Sequence, residues 1–173
     1  MKTRAAQIQD GAALVAFINR AYRQSHPNSW TNEVELFDGD RIDEIQMMNL
    51  LGDSSNQFML HEDEAGLVGC ICVHDHGAIA YISLFAITPD LQARGFGKSV
   101  LATAEEYIYY FNEKVKRIHI PVYAERPELI AFYERQGYQQ VPVEAQEEQH
   151  IPLVLGQAKK PLQNAMMEKL IDR

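Results

Sequence analysis

The segment best suited to chemistry is a glycine-containing loop between an apolar run and a helical pattern. It consists of Gln92-Ala93-Arg94-Gly95-Phe96-Gly97-Lys98-Ser99 and follows Ile87-Thr88-Pro89. Glycine lets successive backbone N–H groups point to one side, and the N-terminus of the following helix adds about half a positive charge. Phosphate groups bind such an arrangement with little help from side chains. The loop is therefore predicted to bind an anion.

Two common nucleotide-binding loops do not fit this segment. The Walker pattern requires a glycine five positions before Gly97, and that position holds Gln92. The dinucleotide fingerprint requires a third glycine, where this chain has Val100, and a strand that opens a βαβ unit. The strand before the loop instead belongs to a predicted antiparallel meander. Both nucleotide-binding patterns are therefore excluded.

The remaining pattern, Gln-x-x-Gly-x-Gly after a strand and a proline, resembles motif A of the GNAT superfamily of acyl-CoA-dependent N-acyltransferases. Gln92, Gly95 and Gly97 supply the complete match. A second segment, Phe132-Tyr133-Glu134-Arg135-Gln136-Gly137-Tyr138, is similar to the aromatic-Tyr signature with which that family ends a helix. The two motifs occur in the family's order, and the resemblance covers roughly residues 4 to 143.

The resemblance implies acetyl-CoA as the co-substrate. In the family, loop N–H groups bind the CoA pyrophosphate, and a bulge in the preceding strand exposes backbone groups to the pantetheine arm. The residues that the resemblance assigns to cofactor binding are Phe85, Ala86, Ile87, Gln92, Ala93, Arg94, Gly95, Phe96, Gly97, Lys98 and Ser99. Where the family often has an asparagine that contacts the CoA arm, this chain has Arg126. Arg126 either meets a phosphate or caps the helix that Pro127 opens.

For catalysis, the resemblance implies that the Tyr133 hydroxyl protonates the leaving thiolate as an amine attacks the thioester. The alternative is a core aromatic, since aromatic residues on a helix face usually pack. Many family members place Glu or His at the positions of Tyr81 and Ser83, and this chain has neither there. An alkylamine has a pKa of about 10.4 and is mostly protonated at neutral pH, so its proton must be removed. We favour a water-mediated route, with Glu33 or Glu35 as the alternative base.

The resemblance therefore implies an N-acetyltransferase that acts by direct attack on a primary amine of a small molecule or peptide. We expect the acceptor between residues 25–40 and residues 144–161, opposite the strands that the cofactor would occupy. A cationic acceptor would suit the acidic residues of the first segment, which are Glu33, Glu35, Asp38 and Asp40. The alternative is a non-catalytic acyl-CoA sensor or interaction module that keeps the loop and lacks the base.

Two further side-chain pairs have residue types that could form chemical sites. His74 and His76 lie on one side of an extended chain, which suits a metal, but Asp-His-Gly is also an ordinary turn. No third ligand stands at a convincing spacing, so we predict a turn and no metal. Cys70 and Cys72 stand two residues apart in an apolar run, where a strand would point both to the same face, badly placed to bond each other, and they are predicted to be reduced core residues.

The first half of the chain predicts the following elements. Residues 4–9 form a strand, and Asp10 caps a helix whose inward stripe is Leu14, Phe17, Ile18, Ala21 and Tyr22. A long loop, residues 25–40, holds Trp30 and Phe37. Asp40 caps a second helix that ends before Gly52, with Ile42, Ile45, Met48 and Leu51 inward. Residues 58–60, 67–73 and 79–87 form three strands of an antiparallel meander.

The second half predicts a helix over residues 98–112, with inward residues Val100, Leu101, Ala104, Tyr107, Ile108 and Phe111. A strand follows at 118–123, then a helix from Pro127 to Gly137 and extended chain at 138–143. Residues 162–171 form a last strand, although their methionines would also suit a helix. The fold class is a mixed α/β sandwich, with a mainly antiparallel sheet of six to seven strands and about four helices.

Composition limits the other functional classes. The 173 residues suit one domain, residues 1–173, and their net charge of −8 opposes binding to a nucleic-acid backbone. The longest apolar runs fall short of the roughly 18 residues that a membrane span needs. The N-terminus has no apolar signal region, so a cytoplasmic location is expected. The predicted partner is the amine acceptor, and a homodimer is left open.

Overall fold

The computed structural model describes residues 1–24, 33–92, 94–150 and 154–173. Trp30 and Ala93, both singled out above, lie outside the described residues. The helices are α1 (Gly11–Arg23), α2 (Glu44–Gly52), α3 (Phe96–Phe111) and α4 (Pro127–Arg135). The strands are β1 (Lys2–Ala5), β2 (Phe37–Asp38), β3 (Asn56–Asp63), β4 (Gly66–His76), β5 (Ile79–Ile87), β6 (Arg117–Tyr123), β7 (Gln139–Val141), β8 (Gln157–Ala158) and β9 (Asn164–Leu170).

Seven strands form one sheet in the order β1-β3-β4-β5-β6-β9-β7. All neighbouring pairs are antiparallel except β5 and β6, which are parallel. The meander of β3, β4 and β5 and the final strand β9 are confirmed. The predicted mixed, mainly antiparallel α/β sheet is therefore confirmed. A separate pair, β2 with β8, lies within segments that were predicted to have no regular structure.

Helices cover both faces of the sheet. One cluster packs α1 and α2 against β3, β4 and β5, and it contains Cys70 and Cys72. The other packs α3 and α4 against the opposite face, where Ile71 and Val73 lie. Alternating side chains of β4 therefore serve two cores. Both cysteines are buried and free, as predicted.

The N-terminal boundary differs from the prediction. β1 spans Lys2–Ala5, and a 3-10 turn at Ile8–Asp10 precedes α1. Asp10 does stand directly before α1, but its carboxylate accepts from the Gln7 N–H at 2.7 Å and binds Arg4 at 2.8 Å. The carboxylate therefore closes the preceding turn and does not cap α1, because that turn presents a nearer donor.

The inward face of α2 was predicted wrongly at Ile45 and Met48, whereas Leu51 packs against the core as predicted. The helix begins at Glu44, and its cap is Asp43, whose side chain accepts from the Gln46 N–H at 2.8 Å. Met47 is fully buried, whereas Ile45 is 75% exposed and Met48 43% exposed. Ile42 is buried but precedes the helix, so counting the helical period from it placed the stripe on the wrong residues.

The end of α3 also differs from the predicted stripe. Val100, Leu101, Ala104 and Ile108 of the stripe are buried and Tyr107 is partly buried, but Phe111 in the last turn is 78% exposed. Its ring stacks on Tyr107 at a centroid distance of 5.7 Å instead of entering the core.

Among the described residues, no helix has both the length and the apolar character needed to cross a membrane.

The corrected face of α2 leads to a matched pair of substitutions. Met47→Ala should lower the free energy of unfolding by about 2–5 kcal/mol, because it removes a fully buried side chain and leaves a cavity. Ile45→Ala, two residues away on the exposed face, should change it by no more than about 0.5 kcal/mol. Urea denaturation of both variants measures the difference. Equal effects would contradict the helix orientation.

Candidate functional site

The parallel strands β5 and β6 separate soon after they meet. Their pairing runs only from Ile79–Tyr81 against Arg117–His119. β6 continues in full register with β9 over seven residue pairs, so β6 keeps its course while β5 diverges from it. The divergence opens a cleft in the sheet on the carboxyl side of Tyr81.

A bulge in β5 lies at this opening. Cys72 pairs with Ser83 and Cys70 with Ala86, so Leu84 and Phe85 together face one residue of β4. Leu84 has a φ of +50°, the one positive φ among the described non-glycine residues. The Phe85 carbonyl accepts from the Tyr22 hydroxyl at 2.8 Å. The bulge thus begins one residue before the segment predicted to carry it, Phe85 to Ile87.

The glycine loop leads from β5 into α3. A 3-10 turn, Pro89–Leu91, follows the strand, and the buried Gln92 side chain donates to the Ile87 carbonyl at 3.1 Å. Gly95 stands at the N-cap of α3 with a φ of +77°, which L side chains rarely adopt. The first N–H groups of a helix have no partner within it, so this turn presents free donors.

The side chains of this loop have different environments. Phe96 is buried against the core, so only its backbone can face a ligand. Arg94, Lys98 and Ser99 are exposed. Gly97 faces the cleft, and a Cβ there would lie 3.1 Å from Ile87 Cδ1 and 3.6 Å from the Phe132 ring. A glycine is what leaves the backbone accessible at this point.

A cavity of about 610 Å³ lies between the loop and α4. The loop side includes Gln92, Gly95, Gly97 and Lys98, and the helix side includes Leu129, Phe132, Tyr133 and Arg135. Phe85 and Ile87 of β5 form the floor, and Glu128 adds one carboxylate. The cavity is mostly apolar, with Lys98 as the cationic group on the loop side and Arg135 on the helix side. It suits a long ligand with an anionic end and an apolar arm.

A second cavity, of about 90 Å³, adjoins the first. Tyr22, Phe85, Leu129 and Tyr133 line both. The Tyr133 residue is 3% exposed, and among the described residues nothing hydrogen-bonds to its hydroxyl. Burial, and then the neighbouring Tyr22, raise the pKa of Tyr133 well above its ordinary value. Tyr133 is thus a protonated hydroxyl in a wall that both cavities share.

Charged groups line the second cavity. They are Glu33, Arg41 and Arg126, and Ser83, Tyr123 and Val154 lie near them. Glu33 is buried and forms an ion pair with Arg23 at 3.2 Å. The other acidic residues expected near the acceptor, Glu35, Asp38 and Asp40, are exposed and do not line this cavity.

Arg126 stands at the N-cap of α4 without a side-chain cap hydrogen bond. Its guanidinium donates to Glu128 at 3.3 Å, and the residue lines the second cavity instead of the loop end. The structure therefore places Arg126 away from the glycine loop.

Arg23 is a residue that sequence reasoning missed. Its side chain is 3% exposed, and besides Glu33 it donates to the carbonyls of Gly39 at 2.8 Å and Leu155 at 2.7 Å. Its guanidinium also lies 4.3 Å from the centre of the Phe37 ring. One cation thus ties α1 to both segments that were predicted to enclose the acceptor. A basic residue in the last turn of a helix gave no signal of this role.

A polar chain beside Tyr81 was also missed. The Tyr81 hydroxyl donates to Glu147 Oε1 at 3.1 Å, and Glu147 contacts His119 Nδ1. His119 Nε2 bonds to Glu168 at 2.8 Å. Burial and the Glu147 carboxylate raise the pKa of Tyr81 to about 12. Position 81 itself has no base, but tertiary structure brings a carboxylate and an imidazole to it.

Residues 19–155 match the family model for an acetyltransferase (GNAT) domain. The chain belongs to the GNAT acetyltransferase family. It is therefore an acyltransferase, and the resemblance in the two motifs is confirmed at the level of the family. No curated protein matches this GNAT chain in sequence.

Solved structures share the fold along the whole chain. A ribosomal-protein-alanine N-acetyltransferase from Brucella melitensis has 19% identity and a TM-score of 0.69, covering 99% of this chain and 100% of that one. PaiA N-acetyltransferase from Thermoplasma acidophilum, solved with coenzyme A, has 15% identity and a TM-score of 0.69, covering 98% of each chain. A SpeG spermidine N-acetyltransferase mutant from Vibrio cholerae has 17% identity and a TM-score of 0.67, covering 98% and 92%.

The buried ion pair of this GNAT protein leads to a second prediction. Arg23→Ala should destabilise the protein by about 3–5 kcal/mol, because it leaves the buried Glu33 carboxylate without its cation. Arg20→Ala, one turn earlier on the exposed side of α1, should stay within about 0.5 kcal/mol of the parent. Thermal and urea unfolding measure both variants. An Arg23 variant as stable as the Arg20 variant would show that the pair does not hold these segments together.

Proposed function

We propose that the protein transfers the acetyl group of acetyl-CoA to a primary amine of a small molecule or peptide, by direct attack of the amine on the thioester. The observation that carries the proposal is the position of Tyr133. It lies where the cavity from the glycine loop meets the cavity that holds Glu33. A thioester at this junction would have a cofactor side, an acceptor side and a proton donor.

The first cavity suits CoA. The pyrophosphate would accept hydrogen bonds from the loop and the first turn of α3, with Lys98 near it. The pantetheine arm would follow the edge of β5 that β6 leaves unpaired beyond Tyr81. The structure of PaiA holds coenzyme A, and the shared fold supports the same placement here. The cofactor-binding residues predicted from sequence are proposed on this basis, except Arg126, which we assign to the acceptor side.

The reaction forms an amide bond between the acceptor nitrogen and the acetyl carbon and breaks the carbon–sulfur bond. Tyr133 donates its hydroxyl proton to the departing sulfur, which leaves as the CoA thiol, and the proton that the amine loses returns to Tyr133 through water. The raised pKa of Tyr133 keeps the donor protonated at neutral and moderately alkaline pH. No covalent intermediate on the enzyme is needed.

The amine must lose a proton before or during the attack. Glu33 is the carboxylate among the residues that line the second cavity, but its side chain is engaged by Arg23. That contact favours Glu33 as a group that orients the acceptor ammonium. We keep the water-mediated route for the proton, with Glu33 as the alternative base.

The acceptor class rests on two kinds of support. SpeG is named for spermidine and the Brucella enzyme for a ribosomal-protein alanine, so proteins of this fold act on amines of both kinds. The second cavity combines one carboxylate with the guanidinium groups of Arg41 and Arg126. Its mixed charge gives no preference for a polycation, and the cationic acceptor expected from the acidic loop stays a prediction.

A screen of amines with acetyl-CoA, monitored by release of free thiol, tests the function. With an acceptor identified, Tyr133→Phe should lower kcat by about 10²-fold with CoA affinity retained, because only the proton donor is lost. Tyr138→Phe is the matched control, since its hydroxyl bonds to Glu105 outside both cavities. It should keep nearly full activity.

Two outcomes would contradict this account. Normal turnover by the Tyr133 variant would remove the general acid. Tight CoA binding by the parent protein with no thiol released by any amine would favour the non-catalytic sensor.

The cofactor side has its own test. Gly97→Val should weaken CoA binding tenfold or more, about 1.4 kcal/mol, because its side chain would fill the space between Ile87 and the Phe132 ring. Gly52→Val is the control, since a Cβ there meets nothing within 4 Å. Isothermal titration calorimetry measures both, with unfolding curves to show that each variant is folded. Unchanged CoA affinity in a folded Gly97 variant would rule out this loop.

A further inference from the structure

Three histidines converge at the end of the sheet remote from the glycine loop. His74 and His76 close β4, and His150 ends the 3-10 turn Ala145–His150 that lies over them. One ligand atom from each ring lies within 4.8 Å of the other two. The ring centroids of His76 and His150 are 3.6 Å apart, and those of His74 and His150 are 6.0 Å apart. The third ligand that the sequence lacked comes from a distant part of the chain.

The His74 ring is oriented by its neighbours. Its Nδ1 lies 2.7 Å from Asn56 Oδ1, and Asn56 Nδ2 donates to the Leu50 carbonyl at 3.1 Å. Because the amide nitrogen is committed to Leu50, the amide oxygen must face His74 and accept its Nδ1 proton. The lone pair of His74 is therefore on Nε2. Metal-binding histidines are usually oriented by such a hydrogen bond on the other ring nitrogen.

The His150 ring is also held in place. It stacks on Tyr81 at a centroid distance of 5.2 Å and an angle of 23°. Tyr81 is itself fixed by its bond to Glu147, which belongs to the same 3-10 turn as His150. Partial burial and the two neighbouring imidazoles lower the pKa of His150, which favours the neutral ring. A neutral ring is the form that coordinates a metal.

We propose that His74, His76 and His150 bind a Zn²⁺ ion. Three imidazoles with one open coordination position are a known arrangement for zinc. The set contains no thiolate, which would favour a softer metal ion, and no carboxylate, which would favour a harder one. Zinc–nitrogen bonds of about 2.0–2.1 Å would place the nitrogens about 3.3 Å apart, so small rotations of the rings complete the site. The fourth position is left for water.

Such an ion would link the turn before β8 to the end of β4. On the carboxyl-terminal side of the turn, the Leu155 N–H donates to the Arg41 carbonyl at 3.1 Å. Val154, beside it, lines the second cavity. The ion would therefore stabilise one border of the acceptor side without touching Tyr133.

Metal binding is tested on the untagged full chain after removal of metals with a chelator. Calorimetry with Zn²⁺ should show one ion per chain with a dissociation constant in the micromolar range or below, and Mg²⁺ should give no heat. At a hundredfold excess of free ion over the dissociation constant, Tm should rise by about 5–10 °C. Co²⁺ should give the visible absorption of a tetrahedral site.

Variants locate the ion. His76→Gln, at an exposed position, and His150→Gln should each weaken binding tenfold or more, and Asn56→Ala about tenfold through the lost orientation of His74. Asp75→Asn is the matched control, since its side chain points to the other face of β4 and is exposed. His119→Gln tests the neighbouring polar chain.

The proposal is overturned if the parent binds no stoichiometric Zn²⁺ at high micromolar ion. It is also overturned if binding survives in both histidine variants, or is lost only in His119→Gln. None of these measurements depends on acetyl transfer, so the proposed function can fail or stand separately.

Discussion

The separation of β5 from β6 is the constraint on which the site depends. A continuous parallel ladder would pair every backbone group of β5 and leave no cleft. Instead the ladder stops at Tyr81, and Leu84 adopts a positive φ that costs about 1–3 kcal/mol for a residue with a side chain. The Tyr22 hydroxyl and the Cys70 thiol bond to the carbonyls of Phe85 and Leu84, at 2.8 and 3.4 Å, and offset part of this cost. β6 needs no support from β5 there, because β9 pairs with it throughout.

The cleft acquires two chemically different sides because different elements cover it. α4 and the start of α3 form the side next to the glycine loop, which we propose holds the cofactor, and backbone donors and an apolar wall dominate there. The end of α1 and the segments around Glu33 and Val154 form the other side, where charged side chains dominate. Arg23 holds this second side together through contacts with two distant segments. Tyr133 is the residue at which the two sides meet.

The parts of this arrangement that depend on local chemistry could be predicted from the sequence. The residue types of the glycine loop indicate its backbone conformation. The helical period of α1 and the strands of the meander can be recognised from patterns among neighbouring residues. The face of α2 could not be predicted, because the buried Ile42 lies just outside the helix and shifts the apparent period. The positive φ of Leu84 carries no signal, since glycine would be expected there.

Contacts that depend on strand register also could not be predicted from the sequence, but for a different reason. Nothing local connects Glu147 with Tyr81 or His150 with His74. The parallel register of β5 and β6 places Tyr81 opposite His119. Because these two residues are adjacent, the polar turn at residues 145–150 can bond to the sheet. We predicted no third ligand because none stands at a convincing spacing in the sequence. Spacing along the chain does not show how this turn packs on the sheet.

The polar chain under that turn explains why the histidines can converge at all. Glu147 is 3% exposed, and a buried carboxylate is tolerated only when its oxygens are bonded. It accepts from the Tyr81 hydroxyl and the Glu144 N–H, at 3.1 and 3.3 Å, and contacts His119. His119 lies between Glu147 and Glu168, so each of its ring nitrogens faces a carboxylate. These bonds fix the turn on the sheet without any ion, and His150 is thereby held over His74 and His76 before a metal arrives. Folding has then already restricted most of the side-chain freedom that metal binding would otherwise remove.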